Sequence, residues 1–418
     1  MALQKIDHIR SFADCVTESD LDFRVDTRIY TDQGIFDQEM LRIFEQTWVY
    51  VGHISEIENP GDYKTAQIGQ NPVIVSRAED GDIHVLLNEC RHRGNAVCRE
   101  FHGNVKGFTC PYHGWAYALD GKLKGVTHPQ GYPENFAAGI GGLIALRSDV
   151  FRGLIFATMR DDGPGLMDHF GDVAKYVDLW ADLSPEPEYW LAQPHHYSFQ
   201  GNWKFQVENG TDGWHARITH ASAFETAADF GGPPTSARST VGCTRGFHHG
   251  FGILERAGIR QGLTDDQNDL YRAAIARHHP PERLEPIWTE RKIFLFPNMT
   301  LFDNLIRVIQ PVAADQTIVQ SYPLVARGLP DTLNRIRLPE LHTRLSTAGM
   351  INTDDLEMFT SNQTGMRGSK MRWIVLAHGM NEEQKLGGSE RIASDTSEVP
   401  QRAIYREWAR LMSVDGTP

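Results

Sequence analysis

The spacing of hydrophobic and polar positions changes partway along the chain. Between residues 50 and 159, short apolar runs such as PVIVSR (72–77) and IHVLLNE (83–89) are separated by turn residues. Such runs predict β-strands. Asp120-Gly121, in the middle of YALDGKLKG (117–125), predicts a hairpin turn. This part of the chain is therefore predicted to form a small antiparallel β domain.

A loop-forming segment, DDGPG at 161–165, separates that domain from the rest of the chain. Beyond it, the apolar spacing predicts helices near 166–182 and 401–412 and strands near 293–296 and 317–323. The second part is therefore predicted to be a larger α+β domain.

Length and charge limit the classes of protein to which the chain could belong. Its 418 residues, 40% of them hydrophobic, exceed what a single core usually serves, so two domains are expected. The 41 basic and 54 acidic residues give 41 − 54 = −13. Because nucleic acids and anionic membranes repel a negative protein, neither is an expected partner.

No segment of the sequence predicts a signal peptide or a membrane helix. The N-terminus MALQKIDHIRSFADC lacks an apolar core, and charged residues interrupt the most apolar later stretch, 142–159. Five cysteines are too few for a disulfide scaffold, so a soluble cytoplasmic protein is expected. The sequence has neither a GxGxxG nor a GxxxxGK loop, so electrons from NAD(P)H are expected to arrive through a partner.

Two of the cysteines lie in motifs that also contain a histidine. The motifs are CRHRG and CPYHGW, and they supply Cys90, His92, Cys110 and His113. In a Rieske-type [2Fe-2S] cluster, two thiolates bind one iron and two imidazoles bind the other, and the neutral imidazoles raise the reduction potential. One thiolate and one imidazole in each motif predict such a cluster.

The alternative for these four residues is a Cys2His2 zinc site. Zinc fingers usually group the cysteines together and the histidines together, whereas here each motif is mixed, which disfavours zinc. Gly94 and Gly114 are expected where each loop turns tightly around the cofactor. Cys98 has no histidine at matching spacing and is expected to be a buried thiol.

A second group of potential ligands lies in GNWKFQVENGTDGWHARITH, residues 201–220. Its His215 and His220, with one carboxylate, could bind one face of an Fe(II) ion and leave other positions open for oxygen and substrate. On a regular helix, residues five apart point about 140° away from each other, so the helix is expected to end or bulge between them. Asp212 is placed either to accept the second ring N–H of His215 or to cap a helix.

The carboxylate ligand is expected from AGMINTDDLEMFTSNQTGM, in which Asp354 and Asp355 open an apolar-periodic helix. Either acid could cap the helix, but both cannot. The residues alone leave open which of the two would bind the metal.

Taken together, these motifs resemble the α subunits of Rieske non-heme iron aromatic-ring-hydroxylating oxygenases. The resemblance extends from CRHRG and CPYHGW through NWKFQVEN and DGWH to DDLEMFTSNQ. It implies an α+β fold in which a Rieske antiparallel β domain, 38–160, is inserted in a helix-grip (Bet v1-like) catalytic domain formed by 1–37 and 161–418. It also implies a homotrimer, α3, or an α3β3 assembly with a small β subunit.

The resemblance also implies roles for individual residues. His215 and His220 would bind the mononuclear Fe(II), and Asp355 would be the third ligand, because the acid in this family commonly precedes a glutamine by eight residues, as Asp355 precedes Gln363. Asn209 matches an asparagine near the iron in some members.

Asp212 would acquire a larger role in the trimer. There it would lie between His215 and the partner subunit's His113, so that electrons pass from the cluster of one subunit to the iron of the next. A reductase, with or without a ferredoxin, would supply these electrons from NAD(P)H, and O2 would be the cosubstrate for hydroxylation of an aromatic ring.

The fragment ENGTDGWH is most similar to members that act on benzoate, anthranilate, salicylate and terephthalate, which implies a carboxylated substrate. Arg217, Arg291 and Arg307 are candidates for the cation that such a substrate needs. The alternatives are a Rieske monooxygenase that demethylates N-methyl or O-methyl groups and a Rieske electron-transfer protein without oxygenase chemistry.

Overall fold

The computed structural model describes residues 12–229, 242–256, 263–368 and 370–413. The chain forms two compact units, an inserted unit, Phe44–Leu166, and a second unit formed by the chain before and after it. Most of the N-terminal stretch that is predicted to lack a signal peptide lies outside the described residues. Among the described residues, no helix has both the length and the apolar character needed to cross a membrane.

The segment before the inserted unit belongs to the second unit. Its elements are β1 (Val16–Glu18), β2 (Phe23–Asp26), α1 (Arg28–Thr31) and α2 (Gln33–Glu39). Asp32 caps α2, because its Oδ1 accepts hydrogen bonds from the N–H groups of Gly34 and Ile35 at 2.8 and 3.1 Å.

The inserted unit is built mainly from antiparallel strands. Its elements are β3 (Val49–His53), β4 (Asp62–Ile68), β5 (Asn71–Arg77), β6 (Ile83–Leu87), β7 (His102–Asn104), β8 (Phe108–Thr109), β9 (Ala116–Tyr117), β10 (Leu123–Gly125), α3 (Phe136–Ile140), β11 (Ala145–Phe151) and β12 (Leu154–Thr158). They form a seven-stranded sheet, β3-β12-β11-β6-β5-β4-β7, and a three-stranded sheet, β10-β9-β8. The predicted antiparallel β domain is confirmed. Cys98 is buried in its core together with Cys90 and Cys110.

The remainder of the second unit mixes helices and strands, as predicted. Its elements are α4 (Leu166–Phe170), α5 (Ala174–Ala181), β13 (Trp190–Leu191), β14 (His195–Phe199), α6 (Trp203–Gly210), α7 (Ala216–Thr219), α8 (Ala221–Asp229), β15 (Gly242–Gly246), β16 (Gly252–Arg256), α9 (Asp265–Ala276), α10 (Pro281–Trp288), β17 (Glu290–Leu295), β18 (Met299–Phe302), β19 (Leu305–Ala313), β20 (Gln316–Val325), α11 (Asp331–Leu345), α12 (Asn352–Arg367), β21 (Trp373–Val375), β22 (Gln384–Lys385), β23 (Arg391–Ser394) and α13 (Val399–Met412).

An antiparallel sheet dominates this unit. Within the described residues its strand order is β13-β20-β19-β18-β17-β16-β15-β23-β22, and β14 also pairs with β20. The helix α13 packs on β15 and β16. Gly246 permits this close approach, because a Cβ there would lie 2.9 Å from the Val399 carbonyl oxygen.

Buried polar contacts tie the N-terminal segment to the rest of its unit. The strand β2 pairs with β21, far along the chain. The Glu39 carboxylate, at the end of α2, is fully buried and accepts hydrogen bonds from Lys204 Nζ at 2.6 Å, Trp203 Nε1 at 2.9 Å and Trp408 Nε1 at 2.6 Å. One carboxylate therefore joins α2, α6 and α13, and each of the buried donors is satisfied.

Candidate metal centres

The two loops that carry the predicted cluster ligands have the same backbone geometry. The Cys90 N–H donates to the Asn95 carbonyl, and the Cys110 N–H donates to the Trp115 carbonyl, at 2.9 and 2.8 Å. In each loop the carbonyl of the cysteine accepts from the glycine four residues later, at 2.9 Å. These glycines, Gly94 and Gly114, have φ of +69° and +70°, a conformation that side chains disfavour. The expected tight turns are therefore present.

The four side chains of these loops converge. The rings of His92 and His113 have centroids 4.4 Å apart, and His92 stacks on the buried Trp115 at 5.0 Å. Burial opposes ionisation of Cys110, but hydrogen bonds from the Tyr112 backbone, the Cys90 thiol and the His113 backbone outweigh it and lower the pKa of Cys110. The thiolate form, which binds iron, is thereby favoured.

Further contacts show that the pocket between the loops suits a [2Fe-2S] cluster. The Nδ1 atom of His92 is buried without a hydrogen-bond partner, as a metal-binding nitrogen would be before coordination. The Tyr117 hydroxyl lies 3.2 Å from Cys90 Sγ, and the Asn95 amide lies 3.9 Å from Cys110 Sγ. Hydrogen bonds to the sulfurs are a means of tuning the reduction potential of such a cluster.

The second site lies where α6 ends and a new helix begins. Asp212 Oδ1 accepts hydrogen bonds from the N–H groups of Trp214 and His215, at 2.7 and 3.3 Å, and so starts the turn that leads into α7. The short helix α7 lies between the two histidines and ends at His220, whose φ and ψ of −103° and 22° leave the helical range. The expected end of the helix is thus observed, and it brings the two rings to a centroid distance of 5.4 Å.

Asp355 completes a group of three potential ligands. Its Oδ1 lies 3.2 Å from His220 Nε2 and 3.5 Å from His215 Nε2, and the ligand atoms of the three residues lie within 4.8 Å of one another. Donor atoms bound at about 2.1 Å and at right angles around one metal ion lie about 3.0 Å apart. Two imidazoles and one carboxylate in this arrangement suit Fe(II) with open coordination positions.

The charges around Asp355 keep its carboxyl ionised. Burial acts to raise its pKa, but the hydrogen bond with His220 and the charges of His215, His220 and Arg307 outweigh burial and lower it. An ionised carboxylate is the form that binds a metal ion.

Each of the two histidines has its second ring nitrogen beside a different aspartate. His215 Nδ1 lies 3.1 Å from Asp212 Oδ2, although the ring N–H does not point at that oxygen. His220 Nδ1 lies 3.2 Å from Asp354 Oδ2. Asp354 and Asp355 both lie in the first turn of α12, and Ile351, which precedes the helix, provides no side-chain cap. Neither acid therefore serves as the helix cap that the sequence allowed.

Asn209, at the end of α6, lies between two of the potential ligands. Its Nδ2 is 3.0 Å from Asp355 Oδ1 and 3.1 Å from His215 Nε2. The Asn209 amide is thus within the group of residues that would surround the metal.

The three candidate arginines have different environments. Arg217 is exposed. Arg291 is buried but already pairs with Glu255, with Nε to Oε1 at 2.6 Å. Arg307 is buried and forms no ion pair with any described carboxylate, and it donates from Nη2 to Asn352 Oδ1 at 3.0 Å. Only Arg307 among the three therefore retains an unmatched buried charge.

The position of Asp354 beside His220 Nδ1 could not be predicted from the sequence. Two adjacent acids begin α12, and only the fold shows which of them faces which ring nitrogen.

Comparison with known proteins supports this description. Residues 47–136 match the Rieske [2Fe-2S] domain, and residues 188–414 match the ring hydroxylating alpha subunit (catalytic domain). The 2-halobenzoate 1,2-dioxygenase large subunit of Burkholderia cepacia is 33% identical over 380 residues, 85% of this chain and 80% of that protein. The anthranilate 1,2-dioxygenase large subunit of Acinetobacter baylyi is 31% identical over 389 residues, 86% of this chain and 81% of that protein.

Solved structures with the same fold include dioxygenases and a monooxygenase. A naphthalene 1,2-dioxygenase variant bound to phenanthrene matches with a TM-score of 0.84 and 27% identity, over 95% of this chain and 94% of that one. A quaternary ammonium Rieske monooxygenase matches with a TM-score of 0.70 and 19% identity, over 94% of this chain and 96% of that one, which is a likeness of fold alone.

These matches decide between the alternatives for the chain as a whole. The Rieske match rules against zinc, and the catalytic-domain match rules against a protein that only transfers electrons. The chain belongs to the family of ring-hydroxylating oxygenase α subunits, and it is therefore an oxygenase with a Rieske [2Fe-2S] cluster and a mononuclear iron, which uses O2 and receives NAD(P)H electrons through a reductase.

Proposed function

We propose that the chain hydroxylates an aromatic carboxylate, forming either a cis-dihydrodiol or a phenol. The observation that carries this proposal is Arg307, a buried cation close enough to Asp355 to lower the pKa of that carboxyl. The similar proteins from Burkholderia cepacia and Acinetobacter baylyi are named for 2-halobenzoate and anthranilate, which are both aromatic carboxylates.

The surroundings of Arg307 suit an incoming carboxylate. Its Nε is buried without a hydrogen-bond partner, and so is the Nδ2 atom of Asn352, whose other amide atom accepts from Arg307. A buried charge without a partner is costly, and buried donors are normally satisfied. A substrate carboxylate would supply both the opposite charge and the missing acceptors.

Individual residues would have separate tasks in this reaction. Cys90, His92, Cys110 and His113 would hold the cluster, and His215, His220 and Asp355 would hold the iron. The two metal centres supply electron transfer and oxygen activation when they are bound. Arg307 would orient the ring relative to Asp355, and Asn209 would position the ligands that it contacts.

We further propose that electrons cross between subunits of a homotrimer, with or without a small β subunit. Asp212, a third exposed, would link His215 to the partner subunit's His113. The exposed apolar side chains beside Asp212, Trp214 at 44% and Ile218 at 73%, suit burial in such an interface. A cytoplasmic location is part of the proposal, and the five unpaired cysteines support it.

Product analysis tests the proposed reaction. The reconstituted enzyme, with a reductase and O2, should convert benzoate-type acids to hydroxylated products. The substitution Arg307→Met should reduce kcat/KM for an aromatic acid by about 10- to 100-fold, because a hydrogen bond to a charged group contributes about 1.5–3 kcal/mol. The substitution Arg335→Met, on the exposed surface of α11, is the matched control and should have little effect.

Two outcomes would contradict the proposal. One is equal loss of activity toward neutral and carboxylated aromatic substrates in the Arg307 variant, because the charge would then not recognise the acid. The other is release of formaldehyde from methylated amines or ethers without any ring hydroxylation, which would favour the demethylase alternative.

A further inference from the structure

A column of aromatic rings runs from one of the cluster ligands to the surface of the inserted unit. His92 stacks on the buried Trp115, with ring centroids 5.0 Å apart and ring planes 5° apart. Trp115 contacts the rings of Tyr132 and Phe136 at 6.1 and 5.8 Å, and its Nε1 donates to the Tyr132 hydroxyl at 3.3 Å. Tyr132 and Phe136 stack on each other at 4.4 Å, and both are partly exposed. These four rings, the aromatic column, therefore connect His92 to solvent.

The outer end of the aromatic column is carried by a fixed turn. The Gly131 N–H donates to the His128 carbonyl at 2.9 Å, and the Tyr132 N–H donates to the Pro129 carbonyl at 3.1 Å. The stretch 128–135, HPQGYPEN, is exposed apart from Tyr132 itself, and it contains one acidic residue and no lysine or arginine. Its two prolines restrict the backbone further. The turn thus presents an aromatic ring on a rigid surface of low charge.

The other histidine ligand has a different part in the proposed electron route. His113 is half-buried, and its ring centroid lies 3.8 Å from that of the exposed Tyr112. In the proposed trimer the partner subunit covers this edge of the cluster, and electrons leave through it. A donor protein cannot occupy a surface that another subunit already covers, so electrons need a second way to the cluster. The aromatic column begins at the opposite ligand, His92, and provides such a way.

We propose that electrons enter the cluster along the aromatic column, from a reductase or ferredoxin that docks over Tyr132 and Phe136. This proposal rests on the proposed transfer between subunits, which assigns the edge of His113 to electron exit. The donor protein loses one electron and the cluster gains it, and no bond forms or breaks. Contacts between redox proteins are small, and aromatic side chains are enriched at the centres of interfaces, so two rings on a rigid turn suit this partner. The three non-ligand rings act as positioning residues that hold the donor in contact with His92.

The rate at which the cluster is reduced tests this proposal without relying on turnover. Oxidised holoenzyme is mixed without oxygen with its purified reductase, previously reduced by NADH, and the visible absorption of the cluster is followed by stopped flow. Tyr132→Leu and Phe136→Leu should each lower the second-order rate constant by about 10-fold, within the range that substitutions in one interface produce. Tyr132→Phe keeps the ring and should restore most of the wild-type rate.

Controls separate electron entry from a structural role of the rings. Dithionite, a small reductant that needs no docking surface, should reduce wild type and variants equally fast, and the reduction potential of the cluster should not change. Phe101→Leu removes an aromatic ring of the same unit that is 37% exposed and contacts His102 instead, and it should leave the rate unchanged.

A pair of variants at Gln130 tests the docking surface even if a leucine variant fails to fold. Gln130 is exposed in the same turn as Tyr132 and belongs to none of the ring contacts. A charge at the edge of an interface changes the rate of association. At low ionic strength, Gln130→Lys and Gln130→Glu should therefore shift the rate of cluster reduction in opposite directions, whatever the charge of the reductase.

The outcomes distinguish this proposal from the one on which it rests. Unchanged rates in both leucine variants, equal rates in the two Gln130 variants, or leucine variants that dithionite also reduces more slowly would overturn electron entry at this surface, and would leave transfer between subunits intact. Slower reduction by the reductase alone, together with normal product formation by Asp212→Asn, would support entry along the aromatic column and contradict the proposed exit.

Discussion

The two histidines of the candidate iron site lie beside different acids. His215 lies beside Asp212, on its own segment of chain, whereas His220 lies beside Asp354, on the distant helix α12. Asp354 also adjoins Asp355 in sequence, so the same first turn of α12 presents Asp354 to His220 and Asp355 to the candidate metal site. A carboxylate that holds the second nitrogen of a ligand histidine fixes the ring and raises its basicity.

Asp354→Asn should therefore weaken iron binding by about 10- to 100-fold. The measurement is an anaerobic Fe(II) titration of enzyme from which the mononuclear iron has been removed, with the visible absorption of the cluster as the check that the inserted unit is intact. Glu357→Gln, on the exposed face of the same helix, is the control. An unchanged iron affinity would show that Asp354 does not position His220.

Asp212→Asn should have a different effect from Asp354→Asn. Its asparagine oxygen can still accept from the backbone N–H groups that Asp212 Oδ1 caps, so the turn and both metals should be retained. Turnover should nevertheless be nearly abolished, because the link between His215 and the cluster of the next subunit loses its charge. Metal analysis measures whether both metals are retained, and product yield measures turnover. Normal product formation in this variant would rule out the electron route through Asp212.

At the scale of elements, α6 serves two buried regions. Its last turn presents Asn209 to the iron site, while the neighbouring Glu208 accepts hydrogen bonds from the hydroxyls of Tyr30 and Tyr405. Burial raises the pKa of Glu208 from 4.5 to about 7. Below pH 4.5 the carboxyl is protonated in both folded and unfolded chains. Between pH 4.5 and about 7 it ionises only in the unfolded chain, so the free energy of unfolding falls as the pH rises, and the loss is complete above pH 7.

Glu208→Gln should remove that pH dependence. The interval of 7 − 4.5 = 2.5 pH units corresponds to about 3 kcal/mol. Between pH 4.5 and 8, wild type should thus lose about 3 kcal/mol of unfolding free energy relative to the variant. Urea unfolding across this range measures the difference, with the exposed substitution Asp269→Asn as control. A difference that stays constant with pH would mean that Glu208 does not titrate there.

The spacing of hydrophobic residues predicted individual strands and helices better than it predicted which of them pair with each other. The strand run at 72–77 lies in β5, and the run at 83–89 matches β6 as far as Leu87, because alternation and turn residues are local signals. The helix predicted near 166–182 is instead broken into α4 and α5 around Gly171, whose φ is +48°.

The residues of the candidate metal sites were also predicted only in part from the sequence. Motifs pointed to the cluster residues and to His215 and His220, whose chemistry is visible in the residue types. Two features depend on tertiary contacts that no short segment encodes. These are the position of Asp354 beside His220 and the pairing of β2 with β21.

At the scale of the whole molecule, the proposed electron route requires more than one chain. His113 is only half-buried at the tip of its loop, and the neighbouring Tyr112 is 59% exposed. Asp212 is also partly exposed, beside apolar side chains that a lone chain would leave in water. Both ends of the route thus lie at surfaces that another subunit could cover.

Mixed trimers test this route. Cys110→Ser should remove the cluster and leave the iron, whereas His220→Ala should remove the iron and leave the cluster, so each variant alone should be inactive. If the cluster of one subunit reduces the iron of the next, every mixed trimer contains one working pair. Random mixing in equal amounts places three quarters of the trimers in this class, so activity should return to about a quarter of the wild-type value. Transfer within each chain predicts no recovery, because no single chain then holds both centres.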